Sequence, residues 1–306
     1  MYKIVIGIPT YKRPGMLKKL VISIIKGNID RALIKDINIL VVDNDIERTA
    51  EKVVEEISTG LSGILKLNYC NYPVKGLSNV RNELYKKALE FNPDFIVSLD
   101  DDEYPSPDWL NQLLLTVIAN KGDIAVGPVF PEFENKVSPY ITYWFRYHDL
   151  PDQQRTKVFE TSNYIISTDF LLKHKLEFDN RFNSTGAEDS YFRVTILKKG
   201  AKIYWAREAK AFETITEKRS KLKWLFMRNF RCAITYTYIL KLEGKYSALL
   251  KKSLISIVYF ITGLLALSVI LFPVKWKYWG IIKISESLGG FAGLFNFKYH
   301  EYAKAR

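Results

Sequence analysis

An α/β fold, built on a mainly parallel sheet with helices on both faces, is what this sequence predicts, and three observations carry that expectation. Short apolar runs alternate with amphipathic helical stretches. The runs are apolar almost throughout, as strands covered on both faces are. Hydrophobic residues make up 48% of the 306 positions and charged residues 25%, which fills a sizeable core and excludes a disordered chain.

Taken in order, residues 2–8 read as a strand and residues 15–26 as a helix with Leu17, Leu20, Val21, Ile24 and Ile25 on one face. Residues 37–42 form a second strand, apolar except for Asn38, and residues 47–57 a helix. Residues 65–70 alternate as a short strand, and residues 77–91 are a helix that Asn92-Pro93 ends. Residues 95–99 are a buried strand, followed by a helix over 108–120. Strands at 124–129 and 158–167, short helices at 170–175 and 188–199, and a long basic helix at 220–242 complete the regular part. The stretch 128–152, rich in proline and aromatics, is the least regular. In such a Rossmann-like arrangement, ligands collect beyond the carboxyl ends of the strands.

The net charge of +12 is unevenly placed. Residues 1–215 balance at 29 basic and 29 acidic side chains, whereas residues 216–306 hold 16 basic ones and only Glu217, Glu243, Glu286 and Glu301. A nucleic-acid binder and a membrane-attached tail both have this profile. Hydropathy favours the membrane, because residues 253–272 are 20 positions without a charge, ~30 Å long as a helix. Lys251 and Lys252 precede the run, and Lys275, Trp276, Lys277, Tyr278 and Trp279 follow it, the residue types that anchor at a bilayer interface. A buried helix of a soluble domain is the competing reading. Residues 279–297, interrupted by Lys283, Glu286 and several glycines, read as an interfacial or re-entrant helix.

The expected division is therefore an α/β domain over 1–242 and a basic, hydrophobic membrane-associated region over 243–306. The N-terminus opens as a strand without a signal peptide, which places the α/β domain at the cytoplasmic face of the cell membrane. Cys70 and Cys232 make no disulfide framework, and with His148, His174 and His300 they make no zinc cluster.

Side chains with chemistry gather at the strand ends. After the first strand comes Pro9-Thr10-Tyr11-Lys12-Arg13, a turn into a helix whose N–H groups and two cations suit an anion, or simply face solvent. After the second comes Asp43-Asn44-Asp45, where Asp43 either accepts a hydrogen bond from a nucleoside or caps the next helix. After the strand at 95–99 come Asp100, Asp101, Asp102 and Glu103. Four successive carboxylates repel one another unless a cation is present. In extended chain Asp100 and Asp102 share a face, so Mg2+ or Mn2+ held there would bridge to phosphate oxygens. Glu188-Asp189 opens a helix, where a carboxylate is either a general base or a cap.

These motifs, in this order, resemble those of family 2 glycosyltransferases: Ile8-Pro9-Thr10-Tyr11-Lys12-Arg13, Val41-Val42-Asp43-Asn44, Gly76-Leu77-Ser78-Asn79-Val80-Arg81-Asn82, the Asp100-Asp101-Asp102 triplet, and Glu188-Asp189. The resemblance covers most of the chain. It implies the GT-A fold and transfer with inversion from a nucleotide-sugar, UDP-linked, to a hydroxyl of a lipid-linked saccharide in surface-polysaccharide assembly. It also implies that Thr10, Tyr11, Arg13 and Asp43 hold the nucleoside. Arg81 and Asp101 then belong to the donor site, Asp100 lies near the ribose or the metal, and Asp102 ligates Mg2+ or Mn2+. Asp189 would take the proton of the acceptor hydroxyl, and Glu188 would orient the acceptor. Processive synthases of this family carry a Gln-x-x-Arg-Trp motif that is missing here, which argues for transfer of one sugar.

Three other classes fit less well. A non-catalytic membrane-bound module for anionic lipid or nucleic acid leaves the acidic cluster unexplained, and no nucleic-acid motif is present. A nucleotidyltransferase needs a Gly-rich, Lys-containing loop after the first strand, and a dinucleotide oxidoreductase needs a G-x-G-x-x-G.

Overall fold

The computed structural model describes residues 1–61, 63–145, 147–268 and 273–299. Residues 269–272 of the long apolar run, and His300 with the residues after it, lie outside the described residues. In chain order the elements are β1 (Tyr2–Thr10), α1 (Pro14–Ile25), β2 (Ile34–Asp43), α2 (Glu51–Ser58), β3 (Leu65–Asn71), α3 (Leu77–Leu89), β4 (Phe95–Ser98), β5 (Glu103–Pro105), α4 (Trp109–Ala119), β6 (Ile124–Val126) and β7 (Val129–Phe133). There follow α5 (Pro139–Thr142), β8 (Arg155–Thr156), β9 (Tyr164–Ser167), α6 (Thr168–Lys173), α7 (Glu188–Lys198), β10 (Ile203–Trp205), β11 (Ala211–Ile215), α8 (Leu222–Leu242), α9 (Tyr246–Ser268) and α10 (Val274–Leu294).

The chain forms two compact units, one of residues 1–132, 147–183 and 188–214, the other of 133–146, 184–187 and 215–306. The first is the expected α/β domain. Its eight-stranded sheet runs β3-β2-β1-β4-β9-β6-β10-β8. Strands β1 to β4 are mutually parallel, β9 is antiparallel to both β4 and β6, and β10 is parallel to β6. The carboxyl ends of β1, β2, β4, β6 and β10 therefore share one edge. A small sheet, β5-β11-β7, stands apart.

Strand periodicity of two sorts the apolar side chains between the sheet faces. Ile4, Ile6 and Ile8 of β1 join Leu17, Leu20 and Val21 of α1 and Leu113, Leu114 and Val117 of α4 in one core. Val5 of β1 and Leu40 and Val42 of β2 meet Val80, Leu84 and Ala88 of α3 and Phe192 and Ile196 of α7 in the other. Both faces are covered, as near-continuous apolar strands require.

Two expected strands differ. The single strand at 124–129 is two, β6 and β7, because Pro128 offers no N–H to a ladder and Gly127 sits tight against Ala209. Of residues 158–167 only β9 is a strand, since Asn163 before it is left-handed at φ 47°. The helix expected at 47–57 begins later, at Glu51, because the preceding N–H groups of Asp45, Glu47 and Ala50 are taken by the Asp43 and Asp45 carboxylates.

The second unit is helical. Ile141, Phe145, Ile215, Leu225 and Ile282 form its core. Helix α10 is one continuous helix packed on both α8 and α9. A Cβ at Gly289 would stand 2.2 Å from the Phe230 carbonyl oxygen of α8, and one at Gly263 of α9 would stand 2.9 Å from the Gly280 oxygen of α10. Ser285 Oγ donates to the Phe226 oxygen, and Lys241 Nζ donates to the carbonyls of Gly293 and Leu294 at 2.9 and 2.7 Å, satisfying the end of α10. Because α8 packs against α10 this way, the units divide at 215 rather than at 242. Among the described residues α9 alone is long and apolar enough to cross a membrane. Its most apolar window has mean hydropathy 1.6 and only 11% of that window is buried. Leu254, Val258, Ile261 and Leu265 lie open along its outer side.

Candidate active site

The carboxyl end of β4 runs into a turn, not into extended chain: the Glu103 N–H donates to the Asp100 carbonyl at 3.1 Å. The expectation that Asp100 and Asp102 share a face, as alternate residues of a strand, is therefore replaced. They reach different guanidinium groups. Arg81 Nη2 donates to Asp100 at 3.0 Å, while Arg13 Nη1 donates to Asp101 and Asp102 at 2.9 and 3.0 Å. Thr10, at the end of the adjacent strand β1, donates its hydroxyl to the other Asp101 oxygen at 2.9 Å. The loops after β1 and β4 are thus tied together, because parallel neighbours deliver their ends to the same place. Asp101 is the buried carboxyl of the triplet. Burial pushes its pKa up to about 6, Arg13 opposes the rise, and Asp102 adds to it.

Arg81 is the hub of the site. It is buried on α3, and Nε donates to Glu188 at 3.3 Å and Nη1 to the Thr161 carbonyl at 3.3 Å, besides the bond to Asp100. Burial alone lowers its pKa, but Asp100 and Glu188 more than offset that and raise it. Three of its five N–H donors are taken by internal partners. It holds the acidic turn and the start of α7 together.

Glu188 is buried against Arg81. Burial first, then the adjacent Asp189 charge, pushes its pKa up to about 7, with Arg81 opposing. Asp189 is half-buried and accepts the Ser190 N–H at the start of α7. Two successive left-handed residues, Gly186 at φ 72° and Ala187 at φ 68°, precede this pair. Left-handed backbone is uncommon for alanine and concentrates at functional sites.

The expectation for Asp43 is corrected in favour of its capping alternative. It is fully buried, accepts the N–H groups of Asp45 and Ala50, and takes the Tyr69 hydroxyl at 3.0 Å. Three of its acceptor positions are thereby taken. Tyr11 is half-buried in the loop after β1, and Lys12 beside it is left-handed at φ 55°. Sequence reading missed Glu103 as a buried member of the cluster. It pairs across β5 and β11 with Glu213 and accepts the Asp100 N–H at 3.1 Å. Burial, then Asp100, Glu213 and Asp102, raise its pKa well above the ordinary carboxyl range. Its place at the end of the acidic run was the available signal.

The donor set suits a hard cation. Asp100, Asp101, Asp102 and Glu103 bring four carboxyl groups to one turn, against the two guanidinium groups of Arg13 and Arg81. Among the described residues no three His, Cys, Asp or Glu side chains are placed to enclose an ion. Mg2+ needs no such cage, since it takes one or two carboxylates and leaves the rest to phosphate oxygens and water.

The raised Glu188 acid makes a pH prediction. The unfolded chain releases this proton near 4.5 and the folded chain holds it to about 7. Between those values unfolding releases a proton, so stability falls as pH rises through that window. Thermal melts from pH 4.5 to 7.5 are expected to show this decline, and Glu188→Gln to flatten it. An equal slope in both proteins would refute the assignment.

Comparison with known proteins agrees with this geometry. The family model described as Glycosyl transferase family 2 matches residues 5–182. Succinoglycan biosynthesis protein ExoM of Rhizobium meliloti (strain 1021) is 29% identical over 242 residues, covering 77% of this chain and 74% of that protein. Among solved structures, S. aureus TarS 1-349 in complex with UDP-GlcNAc superposes with TM-score 0.55 at 14% identity, over 97% of this chain and 93% of that one. GalNAc-T7 with UDP, GalNAc and Mn2+ superposes with TM-score 0.54 at 14% identity, over 78% of this chain and 51% of that one.

Proposed function

This chain belongs to glycosyl transferase family 2 and is a glycosyltransferase of exopolysaccharide synthesis, and we propose that it moves one sugar, with inversion, from a UDP-sugar to a hydroxyl of a lipid-linked saccharide. One observation carries the reading. Arg81 ties the acidic turn after β4 to the Glu188-Asp189 start of α7, joining motifs far apart in the sequence into one site. The UDP complexes of similar folds support the choice of donor.

In this reading Asp102 would hold Mg2+ or Mn2+, with Asp100 in the same turn as the second candidate ligand, and the ion would supply positive charge against the leaving diphosphate. Thr10 and Arg13 fix the acidic turn through Asp101, and with Tyr11 they form the wall nearest the donor. Asp189 accepts the proton of the attacking hydroxyl, because an alcohol is a poor nucleophile at neutral pH. Inversion needs this single base and no covalent sugar intermediate. Glu188 and Arg81 position rather than react.

The test is Asp102→Asn. Its carboxamide fills the same space and binds a divalent cation poorly, so the fold is expected to persist. Transfer from UDP-sugar is expected to fall by at least about 10²-fold, the scale of transition-state charge stabilisation by a metal. Activity that survives both this change and EDTA would remove the metal from the reading.

The open apolar side of α9, rimmed by Lys251 and Lys275, supports membrane attachment at the cytoplasmic face, where a lipid-linked acceptor is met. The full chain is expected to sediment with anionic liposomes, and an Ile257→Glu/Ile261→Glu variant to remain in the supernatant. Equal sedimentation of the two would refute attachment through this face.

A further inference from the structure

The same sheet edge carries a second feature at the ends of β6 and β10, a cavity of about 270 Å³ that none of the donor or base residues lines. Behind the lining residue Pro128 stands a fixed buried support. Asn163 is fully buried, and its Nδ2 donates to the Pro128 carbonyl at 2.9 Å and the Ala209 carbonyl at 2.7 Å, while its Oδ1 accepts the Trp109 indole N–H. A Cβ at Gly127 would stand 2.2 Å from the Ala209 oxygen, so glycine is what lets these two segments close. The lining residue Trp205 is fixed at the backbone: Gln153 N–H donates to its carbonyl at 2.7 Å, and its own N–H donates to the Gln154 carbonyl at 2.9 Å.

The lining has a specific chemistry. Phe130 and Tyr147 stand with ring centroids 4.1 Å apart, and Trp205 contributes a third aromatic surface. The rim carries two ion pairs, Arg207 with Asp149 at 3.1 Å and Lys210 with Glu208 at 2.7 Å. Two cations balance two carboxylates, so the cavity has no net pull on a phosphate or an acidic group. What it offers is many donors and acceptors, His148 among them, beside the rings of Phe130 and Tyr147. That matches a neutral pyranose, whose C–H face stacks on aromatics and whose hydroxyls accept and donate.

Its position has a consequence too. Along the sheet edge β6 is two strand spacings and β10 three from β4, so the cavity's β6 and β10 sides stand roughly 10–15 Å from the acidic turn. The cavity is on the far side of β4 from β1 and β2, away from the nucleoside half of the sheet. We infer that it holds a neutral sugar ring of the acceptor saccharide, next to the ring that receives the transferred sugar. This rests on the glycosyl-transfer reading above.

Saturation-transfer NMR on the full chain tests it, with methyl β-glucopyranoside, methyl β-galactopyranoside and methyl β-cellobioside as probes and UDP titrated in the same samples. Transfer to the ring protons of at least one probe is expected. In Tyr147→Ala and in Arg207→Ala, both exposed positions, its affinity is expected to weaken about tenfold, the scale of one lost aromatic contact. No transfer to any probe, or unchanged affinity in both variants, overturns the assignment. If UDP fails to bind while the sugars behave as expected, the donor reading falls and the sugar site stands.

Discussion

Asp189→Asn is expected to lower single-turnover sugar transfer by about 10²–10⁴-fold, the usual worth of a general base, while the affinity for UDP stays the same. The reason lies in the different surroundings of two adjacent acids. Glu188 is buried and ion-paired with Arg81, which engages its carboxylate inside the protein. Asp189 is half-exposed and needs only one local N–H partner. The companion variant makes the test sharp. Glu188→Gln keeps the shape and a hydrogen bond to Arg81, so it should alter stability and its pH dependence more than turnover. If Glu188→Gln abolishes transfer and Asp189→Asn spares it, the base moves by one residue. If neither matters, Glu188-Asp189 is structural and the base lies elsewhere.

The second large effect belongs to Arg81. Arg81→Met leaves Glu188 buried without its cation and Asp100 without its partner, and removing one member of a buried ion pair costs about 3–5 kcal/mol. Protonation of Glu188 relieves part of that cost. The loss is therefore expected to be larger at pH 8 than at pH 5, read as the shift in denaturant midpoint at the two values. Arg81→Lys retains a charge but not the fork that reaches three partners, and should fall between. A variant with wild-type stability at both pH values would show that the site does not hang on this side chain.

Much of the fold was legible because its signals are local. Leu17, Leu20, Val21 and Ile24 face one way on α1 by helical period alone, and Ile4, Ile6 and Ile8 do so on β1 by strand period. The direction of β9 was not legible. Four residues, Tyr164 to Ser167, read the same parallel or antiparallel, and only their neighbours β4 and β6 decide. The site divides along the same line. Asp100, Asp102 and Asp189 stood out because carboxylates at strand and helix ends are conspicuous. That Asp43 is consumed by Tyr69 and two N–H groups, or that Arg81 spends itself on Asp100, Glu188 and Thr161, depends on partners distant in sequence. No spacing rule announces such partners. The acidic run misled for another reason. Periodicity of two holds only while the chain is extended, and the Asp100–Glu103 hydrogen bond folds it at that point.

The glycine-lined contacts of α10 bear on what solvent this helical unit can live in. Side chains driven together by water lose that drive once lipid surrounds them, since hydrocarbon is as comfortable against leucine as leucine is. Contacts in which Gly289 meets the Phe230 carbonyl and Gly263 meets the Gly280 carbonyl depend instead on close fit and dispersion. Those forces persist in either medium. Lys241, closing the end of α10 through its carbonyls, adds a tether that grows stronger as the surroundings grow less polar. In the proposed membrane-attached state the packing of α8, α9 and α10 would therefore be kept in both media, and mild detergent should leave the thermal transition of the helical unit in place.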